Sequence, residues 1–319
     1  MFKIAVTDDR YGNYAEEKNV LKQIGADLVI LDPENKEEFD KGVVEADALL
    51  VNLHPMTKEL ICKLDKCKVI SRYGVGYDNV DVEAATKKGI WVARVPDYSI
   101  EDVSDQALAL LMGCVRKVAY KDRMIRSGKW NLHNDQPCHR INDSVLGLIG
   151  YGAISKRFHE KTSGLGLSKV LIFDPYIDDE KIRERGGIPV DLSTLLTGSD
   201  YISIHVPLDD VTRGMIAKEQ LQKMKQSAIL INTSRGAVIN EADVTEALNG
   251  NWITGAGLDV FETEPLPEDS LLRKLENVIL SDHTGWYSEE SKEELKTKAA
   301  INIVSVLKGG KPVYPVNEV

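Results

Sequence analysis

The chain reads as an α/β protein of two domains, each a doubly wound parallel sheet. Two observations predict this. Short apolar runs alternate with amphipathic helical stretches in two separate series, one before and one after a long helical segment. A strand–glycine turn–helix unit, Val145-Leu-Gly-Leu-Ile-Gly150-Tyr-Gly152-Ala-Ile-Ser155, lies near the middle of the 319 residues, so something of domain size precedes it.

In the first series, Lys3–Val6, Leu28–Leu31, Ala48–Asn52, Lys68–Arg72 and Trp91–Ala93 read as buried strands, with amphipathic stretches such as Tyr14–Ile24 and Lys36–Glu45 between them. From Ser99 to about Ser127 the pattern is that of one long helix. Ser99 stands as its N-cap, and Ala107-Leu-Ala-Leu-Leu-Met112 is apolar nearly all round. Residues 129–143, with Trp130, His133, Pro137 and His139, read as an irregular connection. The second series has strands near 145–149, 169–173, 187–190, 200–206, 228–232, 254–258 and 277–280. A terminal helix over Ser288–Lys308 is stopped by Gly309-Gly310 and is expected to pack back on the first domain. The expected division is 1–99 completed by 286–319, and 100–285.

Composition narrows the function classes. Hydrophobic residues make up 43% of the chain, enough for a core in each domain, and a net charge of −10 argues against nucleic acid and anionic membranes as partners. No apolar run is long enough to span a bilayer, and the N-terminus leads straight into a strand. The four cysteines, 62, 67, 114 and 138, lack Cys-x-x-Cys spacing, so neither a metal site nor a disulfide framework is expected, and Cys114 reads as core. These features point to the cytoplasm.

The chemistry-bearing residues cluster at strand ends. Gly150 and Gly152 form a tight turn into a helix N-terminus, which aims backbone N–H groups and a positive dipole end at a pyrophosphate. About twenty residues on, the strand Val170-Leu-Ile-Phe173 ends in Asp174, suited to the ribose hydroxyls of an adenosine. Three later strands end in Asn232-Thr-Ser-Arg235-Gly236, in Asp259-Val-Phe-Glu-Thr-Glu264-Pro265, and in Ser281-Asp-His283-Thr-Gly-Trp286. An arginine grips a carboxylate with its planar fork, a histidine exchanges a proton near neutral pH, and a carboxylate beside it favours the imidazolium. That set suits proton-coupled hydride transfer between NAD and a 2-hydroxy acid.

On the motifs Gly147-Leu-Ile-Gly150-Tyr-Gly152-Ala-Ile154, Phe173-Asp174-Pro-Tyr176, His205-Val-Pro-Leu208, Asn232-Thr-Ser-Arg235-Gly236, Leu258-Asp259-Val-Phe261 through Glu264-Pro265, and His283, the chain resembles the D-isomer-specific 2-hydroxyacid dehydrogenases over nearly its whole length. Arg72-Tyr-Gly-Val-Gly-Tyr-Asp-Asn-Val-Asp81, Val95-Pro-Asp-Tyr98 and His283-Thr-Gly-Trp286-Tyr-Ser-Glu289 are most similar to the branch containing the C-terminal-binding proteins. The resemblance implies a Rossmann NAD domain over 100–285 and a flavodoxin-like substrate domain. It implies Arg235, Glu264 and His283 as catalytic residues: Arg235 for the substrate carboxylate, His283 as proton donor or acceptor, and Glu264 as its partner. Backbone N–H groups of Tyr73, Gly74, Val75 and Gly76 would hold the carboxylate from the other domain, with closure over the substrate, and Arg72 and Trp286 would line the pocket. Cofactor contacts fall to Gly150, Gly152, Ala153, Ile154, Asp174, Val206, Thr212, Thr233, Ser234, Arg235, Asp259, His283 and Gly285. A homodimer through the 99–127 helix follows by the same resemblance. Asp174 and Pro175-Tyr176, with no Arg or Lys beside them, favour NAD over NADP. His54 has both a substrate and a structural reading.

Two positions depart from the family pattern. Ser155 replaces the third glycine of the turn, with a wider helix–strand spacing as the expected effect, and Asp282 stands where proline is usual. Glyoxylate, hydroxypyruvate, phosphoglycerate and larger keto acids remain open as substrates. The alternative reading is an NAD(H)-sensing interaction protein of the C-terminal-binding type.

Overall fold

The computed structural model describes residues 1–130 and 137–319; His133 lies outside them. The chain forms two compact units, Met1–Ser99 with Ser288–Val319, and Ile100–Tyr287. Trp286 and Tyr287 thus belong to the second unit.

The first unit is built from β1 (Lys3–Val6), α1 (Ala15–Leu21), β2 (Asp27–Ile30), α2 (Lys36–Val44), β3 (Ala48–Val51), α3 (Lys58–Lys63), β4 (Val69–Arg72), α4 (Val82–Lys87) and β5 (Trp91–Ala93). Its five strands run parallel in the order β2-β1-β3-β4-β5, the flavodoxin-like arrangement. Every residue of β3 is buried, which explains why it reads as an uninterrupted apolar run: helices cover both faces of a parallel sheet. One face packs on Phe39, Val43, Ile61 and Ala85.

The second unit comprises α5 (Ile100–Arg116), α6 (Val118–Arg126), β6 (Val145–Ile149), α7 (Ala153–Thr162), β7 (Lys169–Phe173), α8 (Asp179–Arg183), β8 (Ile188–Pro189), α9 (Leu192–Gly198), β9 (Tyr201–Ile204), α10 (Lys218–Lys223), β10 (Ile229–Asn232), α11 (Glu241–Asn249), β11 (Gly255–Leu258) and β12 (Val278–Leu280). Its seven strands are parallel in the order β12-β11-β10-β9-β6-β7-β8, so the winding reverses between β6 and β9. α5 closes one face by packing Ala107, Leu110, Leu111 and Cys114 near Leu146, Leu148, Ile229 and Ile231. Leu195, Leu230, Val244, Leu248 and Leu258 fill the other.

The single long helix expected over 99–127 is two helices. The break is at Lys117, whose φ of +55° interrupts the i→i−4 ladder. Its side chain turns inward, with Nζ 3.5 Å from the Thr254 carbonyl, and the residue is 6% exposed. Neither glycine nor proline announces this break, so periodicity alone runs straight through it. Cys114 is core, and burial raises its thiol, like that of Cys67, to about 12, so both are inert. Among the described residues no helix is long and apolar enough to cross a membrane.

α12 (Glu289–Leu307) belongs to the first unit and packs against α1 and β4, where Ser71 Oγ donates to the Ala299 carbonyl at 2.9 Å. Ser288 caps its first turn: Ser288 Oγ accepts from Ser291 N at 3.0 Å, and Ser288 N donates to Ser291 Oγ at 2.8 Å. Gly309, at φ +91°, follows its C-terminus. Ser288→Ala should cost about 1 kcal/mol, read as a lower urea midpoint at unchanged m-value; an unchanged midpoint would show that the cap contributes nothing.

Candidate active site

The glycine turn lies at the reversal of winding, where open parallel sheets leave a crevice. Gly150 is required there twice over. Its φ is +86°, and a Cβ would come within 2.8 Å of the His205 carbonyl oxygen and Val206 Cγ1, in the loop leaving β9. Gly150 N donates to the Phe173 carbonyl at 2.8 Å, and Tyr151 N donates to Asp174 Oδ2 at 2.7 Å. Asp174 Oδ1 accepts from Tyr176 N at 2.9 Å. Asp174 therefore clamps the turn to the end of β7, while each carboxylate oxygen keeps a further lone pair for a ligand hydroxyl.

α7 opens at Gly152 with no side-chain cap and no acid in its first turn. By contrast Asn35, Thr57, Asp191 and Asn240 cap α2, α3, α9 and α11 with their own side chains. The space beside Gly152 is open. Uncapped N–H groups of Gly152, Ala153 and Ile154, a positive dipole end and open space fit a pyrophosphate. Ser155 is fully buried in this turn, and its hydroxyl finds no partner among the described residues; nothing in the structure explains the serine.

The next strand ends position the candidate polar groups. Fully buried Asn232 brackets the turn after β10: its Oδ1 accepts from Ser234 N at 3.0 Å and Ser234 Oγ at 2.9 Å, and its Nδ2 donates to the Arg235 carbonyl at 2.9 Å. Ser234 thus serves the turn. Arg235 is extended, with Nη1 on the Ser234 carbonyl at 2.8 Å. A Cβ on Gly236 would lie 1.9 Å from the Phe261 carbonyl carbon. The Arg235 and Glu264 loops therefore touch backbone to backbone.

Glu264 Oε1 accepts from Phe261 N at 3.0 Å, and Oε2 pairs with His283 Nδ1 at 2.6 Å. Burial works to raise the Glu264 carboxyl, but the hydrogen bond and charge of His283, the Phe261 N–H and the Arg235 charge outweigh it, and the net shift is downward. An ionised carboxylate only accepts, so Nδ1 carries the proton and Nε2 is the nitrogen left to exchange one. His283 has a φ of +56°, a left-handed turn that histidine tolerates better than most residues.

That turn is held by Asp259. Its Oδ1 accepts from Ser281 Oγ at 2.6 Å and Gln106 Nε2 at 3.4 Å, and its Oδ2 accepts from Gly285 N at 2.9 Å. A Cβ on Gly285 would come within 2.7 Å of Asp259 Oδ2. Asp259 is 2% exposed, and burial raises its carboxyl. Gln106 was not singled out by sequence, although a polar residue on the Val103–Ala107–Leu110 face of an apolar helix was the available signal. Asp282 directs Oδ1 to the Thr284 hydroxyl at 2.6 Å.

Other candidates are held locally. Thr212 Oγ1 donates to the Pro207 carbonyl at 2.7 Å and accepts from Asp209 N at 2.9 Å. The Thr233 hydroxyl is buried with no partner among the described residues. His205 meets Ser203 Oγ at 2.9 Å and lies against Phe158, and burial pushes its imidazole down to about 3, so it stays neutral and exchanges no proton near pH 7. Trp286 meets Tyr287 edge to face.

In the first unit, the Arg72 guanidinium lies where a Gly74 Cβ would be, 1.7 Å from Nη1, and Gly74 has a φ of +140°. Of the four N–H groups assigned to a carboxylate, two are committed elsewhere: Tyr73 N donates to the Val51 carbonyl at 2.8 Å and Gly74 N to the Arg72 carbonyl at 3.0 Å. Among the described residues of this unit, no acceptor takes those of Val75 and Gly76. His54 packs on Phe39 with ring centroids 4.4 Å apart, and burial lowers its imidazole, which favours the structural reading.

Comparison with known proteins gives the family and the fold. The family described as D-isomer specific 2-hydroxyacid dehydrogenase, NAD binding domain, matches residues 108–285. A glyoxylate reductase of Korarchaeum cryptofilum is 39% identical over 290 residues, spanning 90% of this chain and 87% of that protein. A hydroxypyruvate reductase of Blautia hydrogenotrophica is 35% identical and spans 88% of each. The D-lactate dehydrogenase of Aquifex aeolicus, solved with NAD and lactic acid, superposes with a TM-score of 0.85 at 26% identity over 96% of each chain.

Gly236→Ala should lower kcat by about 10²-fold, because displacing the Arg235 turn by about 1 Å disrupts a reacting geometry. Steady-state assays on the folded variant check this; wild-type kcat would show that the backbone contact does not set the site.

Proposed function

Since the chain belongs to the D-isomer-specific 2-hydroxyacid dehydrogenase family, an NAD-dependent oxidoreductase of 2-hydroxy acids, we propose that its substrates are small 2-keto acids of the glyoxylate and hydroxypyruvate class and their D-2-hydroxy acids. The observation that carries the catalytic assignment is the 2.6 Å pair between His283 Nδ1 and Glu264 Oε2, with the Arg235 charge acting on the same carboxylate. The similarity to a glyoxylate and a hydroxypyruvate reductase supports the substrate class.

When bound, the dinucleotide supplies the hydride that reduces the keto carbon, or accepts it in the reverse direction. Gly150, Gly152, Ala153 and Ile154 hold its pyrophosphate, Asp174 the adenosine ribose, and Val206, Thr212, Thr233, Ser234, Asp259 and Gly285 flank the nicotinamide half. Arg235 grips the substrate carboxylate and polarises the adjacent carbonyl. His283 Nε2 delivers the proton that the carbonyl oxygen takes up, and recovers it in oxidation. Glu264 keeps the ring oriented by accepting from Nδ1. Val75 and Gly76 supply N–H groups to the carboxylate, and Arg72 and Trp286, the features shared with the C-terminal-binding-protein-like branch, line the pocket. A purely NAD(H)-sensing role is not favoured, because the Arg–Glu–His set is intact.

We also propose a homodimer through α5 and α6, supported by the exposure of Val118 (58%) and Ile125 (53%) on α6, and a cytoplasmic location, supported by four free thiols.

A panel of 2-keto acids followed by NADH absorbance tests the substrate class; turnover confined to larger aromatic or branched keto acids would refute it. His283→Ala should lower kcat by about 10²–10⁴-fold, and near-normal turnover would remove it from the mechanism. Asp174→Ala should narrow a preference for NADH over NADPH, measured as a ratio of kcat/KM. Equal use of both by the wild type would sink that assignment.

A further inference from the structure

We propose that Glu17 on α1 is a positioning residue for the substrate-binding loop 73–76, acting through the Tyr73 hydroxyl; this rests on the assignment of that loop to the substrate carboxylate.

Glu17 is fully buried between the core residues Tyr14, Val20 and Leu21, where an apolar side chain would be the ordinary occupant. A buried carboxylate is costly unless bonded, and removing one partner leaves the other stranded. Glu17 Oε1 accepts from Tyr73 Oη at 2.8 Å, and Oε2 faces Lys296 Nζ at 3.7 Å. Lys296, on α12, is 2% exposed; its ammonium binds Glu16 and lies 5.8 Å from the Tyr14 ring centroid. Two carboxylates of α1 and one ammonium of α12 thus meet at the foot of one tyrosine. Burial raises the Glu17 carboxyl, opposed by the Tyr73 hydrogen bond and the Lys296 charge.

Tyr73 is a plug rather than a surface residue. It is 1% exposed, and its ring meets Tyr11 edge to face with centroids 5.2 Å apart. Its N–H is fixed to the Val51 carbonyl, and its own carbonyl receives Arg72 Nη1. The next carbonyl, that of Gly74, accepts from Val95 N at 2.9 Å. Val75 and Gly76 follow directly, so the direction of their N–H groups is set by where the Tyr73 side chain is seated. Glu17 decides that seat, since it is the acceptor at the far end of the ring. Through Lys296 the same contact ties the loop to the C-terminal helix.

The test compares wild type, Glu17→Gln, Tyr73→Phe and the double variant. Each single change should raise KM for the keto acid about tenfold, the worth of one charge-assisted hydrogen bond, with kcat and KM for NADH unchanged. The double variant should be no worse than the weaker single, because both break one contact. Amide hydrogen exchange at 73–76, which needs no substrate, should speed up in Glu17→Gln while β3 stays protected. Unchanged exchange at 73–76, unchanged keto-acid KM in a folded variant, or additive effects would overturn the proposal. Wild-type protein that reduces no keto acid would instead refute the functional reading, and hydrogen exchange would still decide the role of Glu17. If Glu17→Gln does not fold, Tyr73→Phe carries the same comparison.

Discussion

Where the strand-end loops of the second sheet meet, they meet on backbone that carries no side chain. Gly150 faces the His205 carbonyl, Gly236 faces the Phe261–Glu262 peptide, and Gly285 faces the Asp259 carboxylate, each at a distance a Cβ would violate. A parallel sheet brings the C-terminal ends of all its strands to one edge, about 4.8 Å apart. Long side chains on adjoining loops can converge there only if the loops themselves are thin. The strand order β10-β11-β12 puts Arg235, Glu264 and His283 at neighbouring strand ends, and the glycines let the turns that carry them pack closely.

Carboxylates supply the second level of order, and their environments divide their work. Asp174 gives both oxygens to backbone N–H groups, and Asp259 gives one to a backbone N–H and the other to side-chain donors, which makes each a brace of a turn as well as a ligand candidate. Glu264 takes one backbone N–H and gives its other oxygen to His283, and its net shift is downward. Asp259 and Glu17 are shifted upward by burial, the cost of placing a carboxylate in the interior, and both compensate with hydroxyl donors, Ser281 and Tyr73. Opposite shifts in one protein follow from how deeply each carboxylate is buried and from the charge of the groups that face it.

The histidines divide in the same way. His205 lies against Phe158 with only a serine hydroxyl for company, and desolvation keeps it neutral. His54 stacks on Phe39. His283 alone among these three is paired with a carboxylate, on a left-handed turn that Asp259 and Gly285 hold in place. Residue type nominates a histidine, but only its surroundings distinguish the one paired with a carboxylate from those kept neutral or stacked.

Much was determined by the sequence itself. Apolar runs of strand length, the glycine turn followed by Asp174, and the polar strand ends at Arg235, Glu264 and His283 are local signals, because strand burial, phosphate turns and bidentate recognition each impose their residue types over a few positions. Ser288 and Gly309 likewise announced the ends of the terminal helix. Tertiary structure decided the rest. The break at Lys117 depends on a side chain drawn toward Thr254, far along the chain. The bracing of Asp259 by Gln106 and Ser281, the two committed N–H groups of the 73–76 loop, and the Glu17–Tyr73–Lys296 contact join residues separated by tens to hundreds of positions. Periodicity and spacing describe a residue's own element; they do not say which distant group will stand within 3 Å of it, and at that range the protonation states and backbone directions of this site are set.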